Sequence, residues 1–340
     1  MQQSCSHTIC QRRVCEVPEM TVFEIALGLV FLVAGGDVLV RGSVGLAKRF
    51  GISELLIGLV LVGFGTSTPE LMTSLLAALN GSAGIAVGNV AGSNIANILL
   101  ILGLTAVICP LRVEPAALMR DGPANLLAAL AFTGLAISGF VGREAGLALV
   151  LSLAAYLTLT YRMEKGTRTP SAELHRSEAQ LVVPPAPKTG LPLSLAMAFG
   201  GLAMILGGAH FLVAGATQLA QAAGISDAVI GVTIVAVGTS LPELVTSVVA
   251  ALKRQTDIAL GNILGSNLFN ILGILGVTAL VSPLKVPHEI MQLDIWVLLG
   301  ATAILLVFSM SGWRICRREG AVMLLAYGVY TAVVLTKALG

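Results

Sequence analysis

The sequence predicts an all-α integral membrane protein with ten transmembrane helices in two inverted five-helix repeats, and three observations lead there. The chain is too apolar for water: of its 340 residues, 56% are hydrophobic and 11% charged, against about 45–50% and 25% in soluble domains. Ten apolar segments of about the 20 residues needed to cross a bilayer lie near 22–40, 54–79, 84–108, 123–141, 145–163, 191–214, 227–252, 257–282, 290–309 and 320–337. The chain also repeats itself. At an offset of 173, Val62 to Gly103 lies on Val235 to Gly276 without a gap, and 25 of the 42 pairs are identical.

Five spans separate each residue from its counterpart, an odd number, so the halves enter the membrane in opposite directions, as in many secondary transporters. The resulting division is an N-terminal extension (1–21), a first repeat (22–163), a linker (164–190) and a second repeat (191–340). Lys and Arg fall unequally on the two sides. Fifteen lie on the side of Arg41, Arg112, Arg162, Lys253 and Arg314, and five (Arg12, Arg13, Arg143, Lys285, Lys337) on the other. The positive-inside rule then places both termini outside and the linker in the cytoplasm of a cell membrane, the inner membrane if the cell is Gram-negative. A net charge of +2 is too small for a nucleic-acid partner, and no obligate protein partner is evident.

In order along the chain, the first nineteen residues lack the apolar core of a signal peptide. Met20 opens the first span, and translation is expected to start there. Cys5, Cys10 and Cys15 recur without the paired spacing of a zinc site, and Cys109 and Cys316 stand alone, so the cysteines read as structural. Asp37 in the first helix and His210 in the sixth are expected to form interhelical hydrogen bonds. Glu54 with Asp227, and Asp121 with Asp294, also pair at the 173 offset and are expected to cap helix starts. The linker, rich in Pro and mixed charge, holds no sensing or nucleotide-binding motif.

The chemistry sits in the repeated stretch. GTSTPELMTS (Gly65 to Ser74) matches GTSLPELVTS (Gly238 to Ser247), so each half places one carboxylate, Glu70 or Glu243, in an apolar span. A charge at the bilayer centre costs about 2.5–3.5 kcal/mol even on insertion scales. No Lys or Arg lies in these spans to offset it, apart from Lys253 and Arg254 at a helix end. The countercharge is then a bound cation.

The neighbours suit such a ligand. Thr66, Ser67 and Glu70 share a helical face, as do Thr239, Ser240 and Glu243. Thr73, Ser74, Thr246 and Ser247, further along, read as small packing residues. Pro69 and Pro242 cannot donate a backbone hydrogen bond and displace the carbonyls of the preceding turn, which is tolerated at membrane depth where backbone lines a polar cavity. Carboxylate, hydroxyl and carbonyl are the hard donors preferred by Na⁺ and Ca²⁺. In the next helix of each half, Asn89, Ser93 and Asn97, and Asn262, Ser266 and Asn270, form polar stripes. Asn97 and Asn270 are read either as ligands or as residues that orient them. Gly88 with Gly92 and Gly261 with Gly265 read as packing positions.

GTSTPE with GSNIAN, and GTSLPE with GSNLFN, resemble the two α-repeats of the cation/Ca²⁺ antiporter superfamily, within it the prokaryotic sodium/calcium exchangers. The likeness extends over nearly all of residues 20–340. It implies that segments two, three, seven and eight form an ion-binding core across which segments one and six slide. It also implies that Glu70 and Glu243 serve both ions, with Thr66 and Thr239 completing a central calcium site. Ser67, Ser93 and the Gly63 carbonyl would form one flanking sodium site, and Ser240, Ser266 and the Ala236 carbonyl the other. Asparagine at both 97 and 270 departs from the potassium-dependent branch, and Gly92 and Gly265 from the glutamates of the proton-coupled branch.

The expected function is secondary active exchange of Na⁺ for Ca²⁺ by alternating access, with Ca²⁺ efflux driven by Na⁺ entry. The competing readings are an H⁺-coupled antiporter of Ca²⁺ or another divalent cation, and a cation channel with an acidic filter. An organic-anion symporter is disfavoured by the acids. No nucleophile with its base, phosphate loop or cofactor motif is present, so neither enzymatic activity nor a cofactor is expected.

Overall fold

The computed structural model describes residues 19–49, 63–164, 190–252, 254 and 256–339. The N-terminal cysteines, Glu54, the start of the second predicted span and the linker's interior lie outside the described residues. In chain order the helices are α1 (Glu19–Arg49), α2 (Gly63–Thr66), α3 (Thr68–Leu79), α4 (Ala83–Ile108), α5 (Pro115–Ile137), α6 (Arg143–Glu164), α7 (Leu191–Ala223), α8 (Asp227–Thr239), α9 (Leu241–Leu252), α10 (256–281), α11 (Ile290–Met310) and α12 (Arg317–Leu339). Seven of the described helices are long and apolar enough to cross a membrane, or eight if the bent pair α8 and α9 is one span. The second and fourth predicted segments are not among them. Part of the second lies outside the described residues, and α5 carries Arg120, Asp121 and Asn125 in its first half.

Glycine decides how the two longest helices meet. Gly28, Gly35 and Gly42 of α1, and Gly201, Gly208 and Gly215 of α7, recur every seven residues, a spacing that keeps one face against a neighbour. A Cβ on Gly28 would stand 2.7 Å from the Leu212 nitrogen, and one on Gly42 2.8 Å from the Ser194 oxygen. The helices therefore run antiparallel, backbone against backbone, with no side chain interlocking them at these points. Asp37 is turned away from this seam: it is exposed and pairs with Arg41 one turn on, at 2.8 Å. His210 sets its ring edge against Phe211. The interhelical bonds expected of these two residues do not form, because the glycine faces take up the contact.

The centre belongs to α4 and α10, whose apolar stretches are buried over 78% and 83% of their length, against 17–39% for the other spanning helices. Leu127, Phe199, Val307 and Leu325 point outward from the surrounding helices, as side chains facing lipid do. Gly84, Gly88 and Gly92 bring α4 against α8, where Cβ atoms would stand 3.0 Å from the Ala228 nitrogen, 2.8 Å from its oxygen and 2.6 Å from the Val232 Cα. Both central helices contain π-helical segments, Ala96–Leu102 and Phe269–Leu275, a local widening often found at functional sites.

Two small antiparallel ladders join the halves. β1 (Leu111–Arg112) pairs with β4 (Arg314–Ile315), and β2 (Phe140–Val141) with β3 (Leu284–Lys285). Gly139 and Gly312, at φ of 76° and 79°, supply the left-handed turns that lead into β2 and β4. Asp121 and Asp294 lie within α5 and α11 rather than capping them. Asp121 is gripped through both oxygens by Arg120 and accepts from Tyr156 at 2.8 Å, and Asp294 accepts from Tyr330 at 2.7 Å. Each Asp–Tyr bond fastens the last helix of a half to the one packed beside it. Asp227 does open α8, but the cap is Ser226, which accepts from the Val229 nitrogen. Cys109 and Cys316 are free, half-buried thiols.

Two substitutions separate close packing from helix propensity. Gly92→Ala should lower stability by about 1–3 kcal/mol. Gly134→Ala, where nothing stands within 4 Å, should leave it unchanged or raise it by up to about 1 kcal/mol. Thermal midpoints of the detergent-purified protein measure both.

Candidate functional site

The site begins with two broken helices. Ser67 and Ser240 leave the helical region, at φ,ψ of −90°, 6° and −82°, 8°, because Pro69 and Pro242 favour a fresh first turn over a continued one. The second break bends the chain by 46°. Each break puts a carboxylate in the first turn of a helix, Glu70 in α3 and Glu243 in α9, where the backbone dipole favours negative charge. Both are sealed from solvent, at 2% and 1% exposure.

The hydroxyls that serve them are exchanged between halves. Ser240 Oγ donates to Glu70 Oε1 at 3.2 Å, while Ser67 Oγ donates to Glu243 Oε1 at 3.2 Å and Ser266 Oγ to the same atom at 3.4 Å. Ser67 is three residues from Glu70 yet bonds Glu243, so the two acids converge on one spot. Thr239 stands beside Glu70 and Thr66 beside Glu243. No Lys or Arg among the described residues pairs with either acid, the ion pairs there being Arg41–Asp37 and Arg120–Asp121.

Four buried acceptors at the site have no donor: Glu70 Oε2, Glu243 Oε2, Asn97 Oδ1 and Asn270 Oδ1. Leaving such groups unpaired costs about 1–3 kcal/mol each, more when charged. Oxygen-only ligands with an excess of negative charge are suited to a hard cation. Among the described residues no group of three or more His, Cys, Asp or Glu could hold a metal ion. A cavity of about 10 Å³ adjoins Ser67, walled by Leu71, Phe269, Gly273, Ile274 and Val277.

The serines group differently from the resemblance's implication. Ser67 is brought to Ser266 at Glu243, and Ser93 approaches the Ala236 carbonyl, at 3.4 Å, on the side of Thr239 and Glu70. Each cluster therefore mixes the halves, because α4 packs on α8 across the repeat boundary. Gly63 opens α2. Asn97 Nδ2 donates to Asn267 Oδ1 at 3.1 Å, tying α4 to α10.

Sequence reasoning missed the part played by Asn89. Its Nδ2 donates to the Glu70 carbonyl at 3.2 Å and to Ser74 Oγ at 2.9 Å, and its Oδ1 accepts from Thr239 at 3.0 Å. Ser74 is thus an acceptor as well as a packing residue. The available signal was the polar stripe itself, in which Asn89 stands one turn before Ser93.

A family profile described as sodium/calcium exchanger protein matches residues 21–162 and 193–336, nearly all of both repeats. The chain belongs to that sodium/calcium exchanger family. It is 37% identical to the sodium/calcium exchanger MaX1 of Methanosarcina acetivorans over 91% of this chain and 97% of that protein. To the inner membrane protein YrbG of Escherichia coli it is 35% identical, over 85% of this chain and 88% of that one. Among solved structures it resembles the sodium-calcium exchanger NCX_Mj soaked with Na⁺ and Sr²⁺, with a TM-score of 0.63 and 34% identity over 92% of this chain and 98% of that one. This family member is a multi-pass membrane protein and a transporter of the cation/Ca²⁺ antiporter kind.

One structural expectation concerns the Asp–Tyr fastenings. Tyr330→Phe leaves Asp294 Oδ1 without its donor and should cost about 1–3 kcal/mol, read as a lower thermal midpoint, while the backbone trace of the Glu70–Glu243 region stays as it is.

Proposed function

We propose that the chain exchanges Na⁺ for Ca²⁺ across the cell membrane by alternating access, Ca²⁺ leaving as Na⁺ enters. The observation that supports it most is the crossed pair of acids, each bonded by the other half's serine and neither paired with a basic side chain among the described residues. Two ionised carboxylates give a site of charge −2, which one Ca²⁺ or two Na⁺ neutralise. Either load shields the same two charges in a medium of low dielectric. An unloaded site leaves them bare, so movement of the empty form is opposed, and this couples the two ions.

The proposed ligands are Glu70, Glu243, Thr66, Thr239, Ser67, Ser240, Ser93, Ser266 and the Gly63 and Ala236 carbonyls, with Asn97 and Asn270 bordering the centre. The framework is ten spans in two inverted repeats, 22–163 and 191–340. Antiparallel α1 and α7, counterparts at the 173 offset, favour this, as do ladders that each join one loop from either half. Arg112 and Arg314 meet in one ladder, and Lys285 lies in the other. This accords with a cytoplasmic side rich in Lys and Arg and with both termini outside.

Radioactive Ca²⁺ uptake into proteoliposomes, driven by an outward Na⁺ gradient, is the deciding measurement. Uptake that follows a pH gradient alone would give the H⁺-coupled reading instead, and flux without counter-transport would give a channel. Glu70→Gln and Glu243→Gln should each abolish exchange, and persistence in either removes that acid from the site. Asn270→Asp places a third acid beside the pair and should change ion preference or the pH dependence of transport, read in the same assay.

A further inference from the structure

The two halves hold the same residues in unlike surroundings. Asn89 is engaged by the Glu70 carbonyl, Ser74 and Thr239. At the 173 offset their counterparts are Asn262, Glu243, Ser247 and Thr66, yet Asn262 Nδ2 and Ser247 Oγ are both buried without a partner. Gly65 faces Val40 and Gly238 faces Leu29, both on α1.

A hydroxyl that binds a cation must turn its lone pairs to the ion and its proton elsewhere. Asn89 Oδ1 accepts from Thr239 at 3.0 Å, nearer than the competing Ala236 carbonyl at 3.3 Å, and the two bonds from Nδ2 to α3 fix which end of the amide faces that hydroxyl. Asn89 thereby sets the orientation of a neighbouring ligand and links it to the Glu70 helix. Asn262 has the same groups, and its Nδ2 is buried without a partner. Burying an unpaired amide is unfavourable, and it persists here at the position that mirrors the engaged one.

We propose that Asn89 and Asn262 are positioning residues that engage in turn. Whichever is engaged orients the ligands open to its face of the membrane, and transfer of the site to the other face releases one and engages the other. This rests on the alternating-access reading above. Asn262 belongs to the end where α10 starts beside β1, the Thr256 hydroxyl accepting from the Arg112 nitrogen at 3.1 Å. Asn89 lies toward the opposite end of α4. Asn89 thus serves the outer face and Asn262 the cytoplasmic one.

The test measures apparent KM for Ca²⁺ at each face of oriented proteoliposomes. Asn89→Ala should raise the outer KM about tenfold, the effect of one lost buried hydrogen bond, with the inner KM little changed. Asn262→Ala should do the reverse, and the double variant should return the ratio of the two to near the wild-type value. Ser74→Ala and Ser247→Ala, which remove only the amide's hydroxyl acceptor, should show the same opposition at smaller size if the asparagine variants fold poorly. A merely structural role would shift both faces together, and that result, or a silent Asn262→Ala, would overturn the proposal. Wild-type protein that fails to exchange at all would instead sink the antiport reading, independently of the asparagines.

Discussion

The molecule is arranged around two carboxylates buried together in a place that opposes charge. Burial of a single acid at membrane depth costs several kcal/mol, and two that converge also repel. The fold answers with neutral means. It supplies serine hydroxyls from the opposite half, helix N-termini beneath each acid, and amides one helix away. None of these removes the net charge. A lysine or arginine would neutralise the pair permanently and leave nothing for a mobile ion to do, whereas dipoles lower the cost and leave the countercharge to come from solution.

The same logic accounts for the backbone. A continuous helix at Glu70 or Glu243 would bond its own N–H groups within the helix and offer the acid no free positive end. The proline two residues after each serine breaks the helix there, and the new first turn delivers the carboxylate. Breaks at membrane depth need cover. Glycines provide it on α4, whose backbone presses against α8, and bulkier side chains would hold the second break away from its neighbours. α1 and α7 meet through glycine as well, but there the smooth seam crosses a long contact between two helices.

Much of this was legible in the sequence because it depends on composition and repetition. The exact offset between the two acids, the prolines beside them and the hydroxyls on one face single out these residues without any coordinates, and the structure brings the two acids and their serines together. Partnership was less legible. The resemblance groups Ser67 with Ser93, whereas in the structure Ser67 bonds Glu243 and Ser93 approaches the Ala236 carbonyl, because α4 packs against α8. Asp121 and Asp294 were assigned to helix caps since they stand near the starts of predicted spans. The helices begin earlier, and tyrosines distant in sequence take up the carboxylates. Periodicity finds the face a residue occupies; it does not find which helix arrives at that face.

A deeper limit comes from the repeat itself. Asn89 and Asn262 occupy identical settings in sequence, GN followed by GSN, and any rule applied to one must apply to the other. The structure nevertheless gives one amide two acceptors and the other none. Chemistry that is the same in both halves but bonded in only one cannot be a property of local sequence. It is a property of the conformation, set by where the long helices rest on the core, and α1 touches both breaks in this arrangement. Two halves alike in sequence are thus told apart only by which half's polar groups are satisfied.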